Sequence, residues 1–354
     1  MEEFLNQHHV SDKILAVGVS GGADSLALVL MANEQLKLFG RKVIALTVDH
    51  GLRKNSAKEA DYVAKLMKQY GIEHHILTWQ GKKPSSGVEE AARIARYDLL
   101  CSWCVSHNVN VLMVAHHLRD QAETFLMRME RGSGLEGLCS MREVTYMNGI
   151  KILRPLLHTP PEKLEDFLKK RKISWIHDES NDEENFLRVK MRHFLPEFMQ
   201  KTQITLERFD EAVTNLQSAE DFIRTQTDNI WKRDVKSDFD VVYSIKYTDY
   251  LAWHQEIKFR ILGKLCKKQY IPRADSVLNL IRAMNHLPFN GVTLGGKEIF
   301  IAYKMIWIVP ERPSKHQNTR TLWKDFAQRY NNYKERKLPH KAKLAILEKV
   351  KNDL

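Results

Sequence analysis

The stretch 19-VSGGADS-25, Val19 to Ser25, lies between an apolar run, ILAVGVS (14–20), and the amphipathic segment DSLALVLMANEQLKLF (24–39). A strand feeding glycines into a helix points several backbone N–H groups at one spot, with the positive end of the helix dipole behind them. Such a loop holds an anion mainly through its backbone. It lacks the lysine with which a Walker loop neutralises β- and γ-phosphates, and it carries Asp24, which would repel a bare phosphate. A carboxylate there suits a Mg2+ ion shared between protein and polyphosphate. The same residues also fit a plain strand-to-helix turn with Asp24 capping the helix.

Outward from this loop, short apolar runs alternate with amphipathic segments. KVIALTVDH (42–50), HHILTW (74–79) and VNVLMVAHH (109–117) read as strands. SAKEADYVAKLMKQYG (56–71) reads as a helix with Ser56 and Glu59 as a capping box and Gly71 as its stop, and Val88 to about Ser106 as another. Continuous apolar strands separated by helices predict an α/β fold, a doubly wound parallel sheet covered on both faces. In such a sheet ligands bind beyond the carboxyl ends of the strands. That rim would gather SGGADS, VDHGLRKNS, TWQGKKPSSG and AHHLRDQAET, the polar, glycine-bearing and titratable stretches of this half.

After RGSG (131–134) the pattern changes. EVTYMNGIKILRPLL reads as a hairpin, PPEKLEDFLKKRK as a helix opened by Pro160 and Pro161, and HDESNDEENFLRVKMRHFLPEF as a polar loop running into a basic helix. From about Thr205 the chain reads mostly helical, with a long polar helix over 205–234 and shorter ones over 251–268 and 273–286. A strand, a glycine turn and a strand follow over 292–310. The expected organisation is an α/β domain over 1–204, a mostly α-helical domain with a terminal hairpin over 205–315, and a basic tail over 316–354. The tail has too few spaced apolar residues for a core of its own.

With 354 residues, 43% hydrophobic and 28% charged, the chain has material for two or three folded domains. A net charge of +11 favours a polyanionic partner, because lysine and arginine facing phosphates release condensed counterions. The N-terminal MEEFLNQHHVSDK has no apolar core of a signal peptide, and no apolar run approaches membrane-spanning length. The expectation is therefore a cytoplasmic protein without membrane contact. Cys101, Cys104, Cys139 and Cys266 are too scattered for a disulfide framework and are expected as thiols.

SGGADS resembles the SGGxDS pyrophosphate loop of the N-type ATP pyrophosphatases, the PP-loop family, which cleave ATP between its α- and β-phosphates and adenylate a substrate oxygen. Further motifs, VDHGLR (48–53), ARIARYDLL (92–100), AHHLRDQAET (115–124), RGSGLEGL (131–138), LRPLL (153–157) and DESN with FLRVKMRHFLP (178–196), follow in the order seen in the tRNA(Ile)-lysidine synthetases. The resemblance covers about 14–200 and continues more weakly to about 310, where RADSVLNLI and VTLGGKEIFI resemble that family's helical domain. It implies an adenine-nucleotide alpha-hydrolase-like fold and a ligase, with 1–204 as the N-type ATP pyrophosphatase catalytic domain and 205–315 as a helical tRNA-binding domain. Such an enzyme adenylates the wobble cytidine of a CAU-anticodon tRNA(Ile) with ATP, then attaches free L-lysine to give lysidine, releasing AMP and pyrophosphate. On that resemblance Ser20, Gly21, Gly22, Ala23, Asp24 and Ser25 form the ATP loop. Asp24 is the Mg2+-linked acid, Asp120 the second candidate partner of the metal or of the amine, and Arg188 and Arg192 join them as catalytic residues. Glu123 and Arg131 are candidates for lysine or cytidine.

Residue by residue, plainer readings stand beside these. Asp120 can cap a helix over 121–131, Glu123 at i, i+3 can face solvent, and His116 and His117 suit structural hydrogen bonds. Arg188 and Arg192, at i, i+4, could clamp phosphates or form a solvated basic face. Arg119 stands where many family members carry an acid, and the strand-to-helix turn favours an outward placement. Two other functions fit parts of the pattern. Cytidine thiolation on the same fold would use a CxxC pair, and Cys101-Ser-Trp-Cys104 has that spacing, although it lies within a continuous helix. A non-catalytic ATP-sensing RNA-binding protein would keep the loop and release no pyrophosphate.

Overall fold

A computed structural model describes residues 1–51, 56–81, 87–176, 187–268, 270–311 and 319–352. Leu52 and Arg53 of VDHGLR, most of GKKPSSG, the DESN motif (178–181) and the expected boundary near 315 lie outside the described residues, as does the side chain of Ser56. The chain divides into two compact units, Met1–Glu220 and Asp221–Leu354.

In chain order the first unit comprises α1 (Glu2–Gln7), β1 (Ile14–Gly18), α2 (Ala23–Leu36), β2 (Lys42–Asp49), α3 (Ser56–Gln69), β3 (Glu73–Thr78), α4 (Val88–Ser106) and β4 (Val111–Met113). It continues with α5 (Leu118–Glu130), α6 (Leu135–Leu138), β5 (Val144–Met147), β6 (Ile150–Leu153), α7 (Pro161–Lys170) and α8 (Leu187–Thr202). The unit boundary falls inside α9 (Leu206–Asp234). The six-stranded sheet has the order β3-β2-β1-β4-β6-β5 and is parallel except for β5, the antiparallel arm of the expected hairpin.

The continuous apolar run of β1 follows from burial on both faces. Leu15 and Val17 pack among residues of α2, α3 and α7, while Ala16 points to the opposite layer with Tyr97, Leu100 and Cys104 of α4. β1 is flanked by β2 on one side and β4 on the other, so the winding direction reverses there. This is the topological switch point at which doubly wound sheets open a crevice for ligands. β4 is shorter than the apolar run over 109–117, because the chain leaves the sheet after Met113 and His117 becomes the N-cap of α5.

The second unit contains β7 (Lys236–Asp238), β8 (Val242–Lys246), α10 (Tyr247–Ala252), α11 (Gln255–Leu265), α12 (Ala274–Met284), β9 (Val292–Leu294), β10 (Lys297–Ala302), β11 (Met305–Pro310), α13 (Thr319–Arg329) and α14 (His340–Asn352). Its helices accompany a five-stranded antiparallel sheet, β7-β8-β11-β10-β9, of which the sequence pattern shows only part. The turns explain why. Phe239 and Asp240 join β7 to β8, and Tyr303 and Lys304 join β10 to β11, all at positive φ without glycine, so the run IFIAYKMIWIV carries no visible break. The segment 251–268 likewise splits, since Trp253 is extended and His254 caps α11 by accepting the Glu256 N–H at 3.2 Å.

Both faces of this sheet are covered. Ile245, Ile299, Ile306 and Ile308 pack with α11 and α12, while Val242, Trp307 and Val309 pack with Phe326, Tyr333 and Ile346. The apolar residues of the C-terminal region thus complete a core they could not form alone. Asp238 fastens it: Arg336 donates from Nη1 and Nη2 at 2.6 and 2.9 Å, and the Tyr333 hydroxyl at 2.8 Å.

Candidate active site

The glycine loop leaves β1 at the switch point and enters α2 with Gly22 as N-cap and no side-chain cap. The first N–H groups of a helix have no intrahelical partners, so here they remain available to an anion. The loop is held by its own serine. Ser25 Oγ accepts the Ser20 N–H at 3.1 Å and donates to the Gly22 carbonyl at 3.0 Å. Gly21 lies at φ +88°, where a Cβ would come within 2.6 Å of Ile176 Cδ1, and its carbonyl accepts the Ile176 N–H at 3.0 Å. Ser25 therefore organises the loop, and Ile176 fastens it from the segment after α7.

The loop borders a cavity of about 590 Å3, within the size range of small-molecule sites. Ser20, Gly22, Ala23, Asp24 and Ser25 line it together with Asp49 at the end of β2, His50 after it, and His116, His117, Asp120 and Glu123 after β4. The stretches after β1, β2 and β4 thus meet at one cavity, whereas the described residues of the stretch after β3, Thr78–Gly81 and Gly87, do not line it.

Asp24 is inside the first turn of α2 rather than its cap, and its Oδ2 lies 3.4 Å from His117 Nε2. His117 is also the N-cap of α5, receiving the Asp120 N–H at Nδ1 while Asp120 Oδ2 accepts the His117 N–H at 3.1 Å. The expected capping role of Asp120 is real but reciprocal: it occupies the third helical position, and the helix begins at Leu118. Burial pulls the His117 imidazole down, but the Asp24, Asp120 and Glu123 carboxylates outweigh it and the net direction is up. Burial would likewise raise Asp120, yet His117, Arg188 and His116 hold it at about 2. His116 behaves oppositely: burial pushes it down to about 3, and its Nδ1 accepts from Arg154 Nε at 3.2 Å as a neutral ring.

The basic helix α8 meets these acids. Arg188 donates from Nη2 to Asp120 Oδ1 at 2.6 Å and from Nε to Glu123 Oε2 at 3.2 Å, and Arg192 donates from Nε to Glu123 Oε1 at 3.2 Å. Glu123 does not face solvent; its side chain is 1% exposed and both oxygens are engaged. Arg192 lines the cavity, whereas Arg131, the exposed C-cap of α5, does not. Arg119, expected to face outward, instead lines the cavity while it pairs with Glu162 on α7.

Sequence reasoning missed Arg96. It lines the cavity from α4 with its guanidinium 5.4 Å from the centre of the Tyr97 ring, and no carboxylate among the described residues pairs with it. Its signal was ARIARYDLL, where two arginines at i, i+3 interrupt an otherwise apolar face. Cys101 and Cys104 lie on α4 with buried thiols; burial raises Cys101 and pushes Cys104 up to about 12, which disfavours a reactive thiolate.

Mg2+ keeps several waters and binds through one or two carboxylates plus substrate phosphates. Asp24, with 37% of its side chain exposed at the cavity, fits that donor set. Both Asp120 oxygens already accept hydrogen bonds. Among the described residues, no group of three or more His, Cys, Asp or Glu could cage a metal by protein ligands alone, nor is any helix long and apolar enough to cross a membrane.

A family described as PP-loop domain matches residues 1–198. The chain is 37% identical over 306 residues to the tRNA(Ile)-lysidine synthase of Wolbachia pipientis wMel, covering 84% of this chain and 70% of that one. It is 33% identical over 284 residues to the tRNA(Ile)-lysidine synthase of Wolbachia sp. subsp. Brugia malayi (strain TRS), covering 78% and 65%. The chain thus spans about two thirds of the length of these curated relatives. Among solved structures, the U34-tRNA thiolase NcsA from Methanococcus maripaludis superposes with a TM-score of 0.51 at 19% identity, over 58% of this chain and 72% of that one. At that identity the likeness shows the shared fold.

Proposed function

The chain belongs to the PP-loop domain family and, within it, to the tRNA(Ile)-lysidine synthases, and on that premise we propose that it modifies a CAU-anticodon tRNA(Ile), joining free L-lysine to the wobble cytidine at the expense of ATP. The observation that carries this reading is the uncapped N-terminus of α2 opening, beside the Asp24 carboxylate, into a cavity at the sheet's switch point. It is a backbone anion site with an acid in its first turn, which suits pyrophosphate as leaving group.

In the proposed reaction the O2 oxygen of cytidine attacks the α-phosphorus and pyrophosphate departs. The neutral ε-amine of lysine then attacks C2, AMP departs and the amine gives up a proton. The α2 N–H groups would hold the departing pyrophosphate, and Arg192 and Arg96, which both line the cavity, would balance phosphate charge. Asp24 would hold the Mg2+, which when bound neutralises the phosphates in place of a Walker lysine. Asp120 and Glu123 would act through the arginines they position, with His117 joining Asp24 to that network. A cytoplasmic location follows from the proposed substrates.

The test supplies ATP, labelled lysine and tRNA transcripts to the purified protein. Label is expected in the CAU-anticodon tRNA(Ile) and not in a methionine tRNA with the same anticodon. Equal labelling of both refutes the specificity, and ATP and tRNA binding without pyrophosphate release makes the chain a non-catalytic binder.

A further inference from the structure

The segment from Lys264, in the last turn of α11, to Arg273 carries Lys264, Lys267, Lys268 and Arg273 with no acid among them. All these cations are exposed, and no carboxylate among the described residues pairs with any of them. Some cations of this unit pair, Arg233 with Asp234, Arg260 with Glu256, Arg336 with Asp238 and Lys341 with Glu298, and others, such as Lys236 and Lys304, stand singly among the described residues. Tyr270 stands within the cluster with 77% of its surface open.

A neighbouring turn adds to this surface. Gly295, at φ +60°, sits so close to the end of α11 that a Cβ there would lie 1.7 Å from the Cys266 carbonyl oxygen. Only glycine permits that approach. It brings the β9–β10 turn against Lys268, whose Cδ is 3.6 Å from a Cβ built at Gly296, and sets Lys297 beside Cys266. One lysine near a helix C-terminus is accounted for by the helix dipole. A set of cations without carboxylate partners, drawn from a helix end, the loop that carries the exposed Tyr270 and a hairpin, exceeds that need.

We infer that the α11 end and the β9–β10 turn form a docking surface for the sugar-phosphate backbone of RNA, with Tyr270 stacking on an unpaired base. Lysines and arginine would neutralise successive phosphates, and tyrosine offers a face to any base without reading sequence. The inference rests on the tRNA-modifying reading for the identity of the RNA. It adds which surface of the second unit takes the backbone.

The test titrates the full chain with labelled tRNA(Ile) transcript across a salt series. Lys267→Gln/Lys268→Gln/Arg273→Gln should weaken binding about tenfold or more near 0.1 M salt and lower the slope of log Kd against log salt by about two, at roughly 0.7–0.9 for each phosphate no longer neutralised. Tyr270→Ala should weaken binding about fivefold or more, while Tyr270→Phe should bind as wild type. ATP binding and thermal unfolding should stay unchanged in all variants, the first showing an intact first unit and the second an intact second unit. Wild-type affinity and slope in the triple variant overturn the surface. Lysine transfer by the wild-type chain is scored separately: tRNA binding that depends on these residues without lysine transfer keeps the surface and removes the proposed chemistry.

Discussion

Arg188 Nη2 donates to Asp120 Oδ1 at 2.6 Å, joining residues 68 positions apart in the chain. Its Nε reaches Glu123 as well, so one guanidinium from α8 bridges two buried acids of α5. Burial alone would lower the Arg188 guanidinium, and Asp120 and Glu123 reverse that and raise it. Asp120 and Glu123 are therefore already neutralised by the protein.

Removing this bridge should be costly. Arg188→Ala leaves Asp120 without its cation and Glu123 with Arg192 alone. Because about a third of the Arg188 side chain is exposed, the expected loss is about 1–3 kcal/mol, below that of a fully buried pair. Chemical denaturation measures it, and a change within about 0.5 kcal/mol would show that water replaces the bridge.

Glu123→Gln separates two roles. If Glu123 positions Arg188 and Arg192, the variant should raise KM for ATP several-fold and leave KM for lysine near wild type. An increase confined to lysine would return Glu123 to direct contact with the substrate ammonium.

Asp24→Asn should lower pyrophosphate release by about 100-fold, the scale of losing one charge-stabilising contact. ATP binding measured without Mg2+ should persist, because the N–H groups of α2 are untouched. Near-normal release at ordinary Mg2+ concentration would take the metal away from Asp24.

Gly21→Ala combines a left-handed backbone with a Cβ 2.6 Å from Ile176 Cδ1 and 3.2 Å from Val63 Cγ2. A destabilisation of about 1–3 kcal/mol and loss of ATP binding are expected. Adding Ile176→Ala removes the nearest clash but not the φ strain, so it should recover part of the stability. Full recovery would assign the whole effect to packing.

His158 links distant parts of the first unit. Glu143, then Asp210, raise it to about 9 against the opposing effect of burial, its Nδ1 lying 2.8 Å from Asp210 Oδ1 and its Nε2 3.3 Å from Glu143 Oε1. A histidine raised above its unfolded value near 6.5 stabilises the fold fully below that pH, and the stabilisation disappears as pH rises through about 9. With 44% of the side chain exposed, about 1 kcal/mol is the expected scale. The Tm gap between wild type and His158→Gln should be open at pH 6 and closed by pH 10; a gap independent of pH would make the contact uncharged.

Much of the catalytic fold is legible in the chain because its signals are local. Each buried strand is a continuous apolar run, α4 spans the predicted Val88 to Ser106, and the glycine loop declares itself by composition. Turns without glycine hid half of the second sheet, since Phe239, Asp240, Tyr303 and Lys304 adopt positive φ only where strand pairing on both sides compensates for it. Arg96 was hidden for another reason: an arginine on a helix reads the same whether it meets solvent or a cavity.

By itself the sequence determined the parallel sheet, the backbone anion loop and the family motifs, because hydrophobic period, glycine placement and residue order are properties of neighbours along the chain. Only the tertiary structure decided which acids are free. It buried Glu123 between two arginines, gave Asp120 a cap and a guanidinium, and left Asp24 open at the cavity with His117 alongside. A carboxylate's chemistry is set by the charges and the water around it, and those arrive from α8 and β4, segments whose meeting no local pattern records.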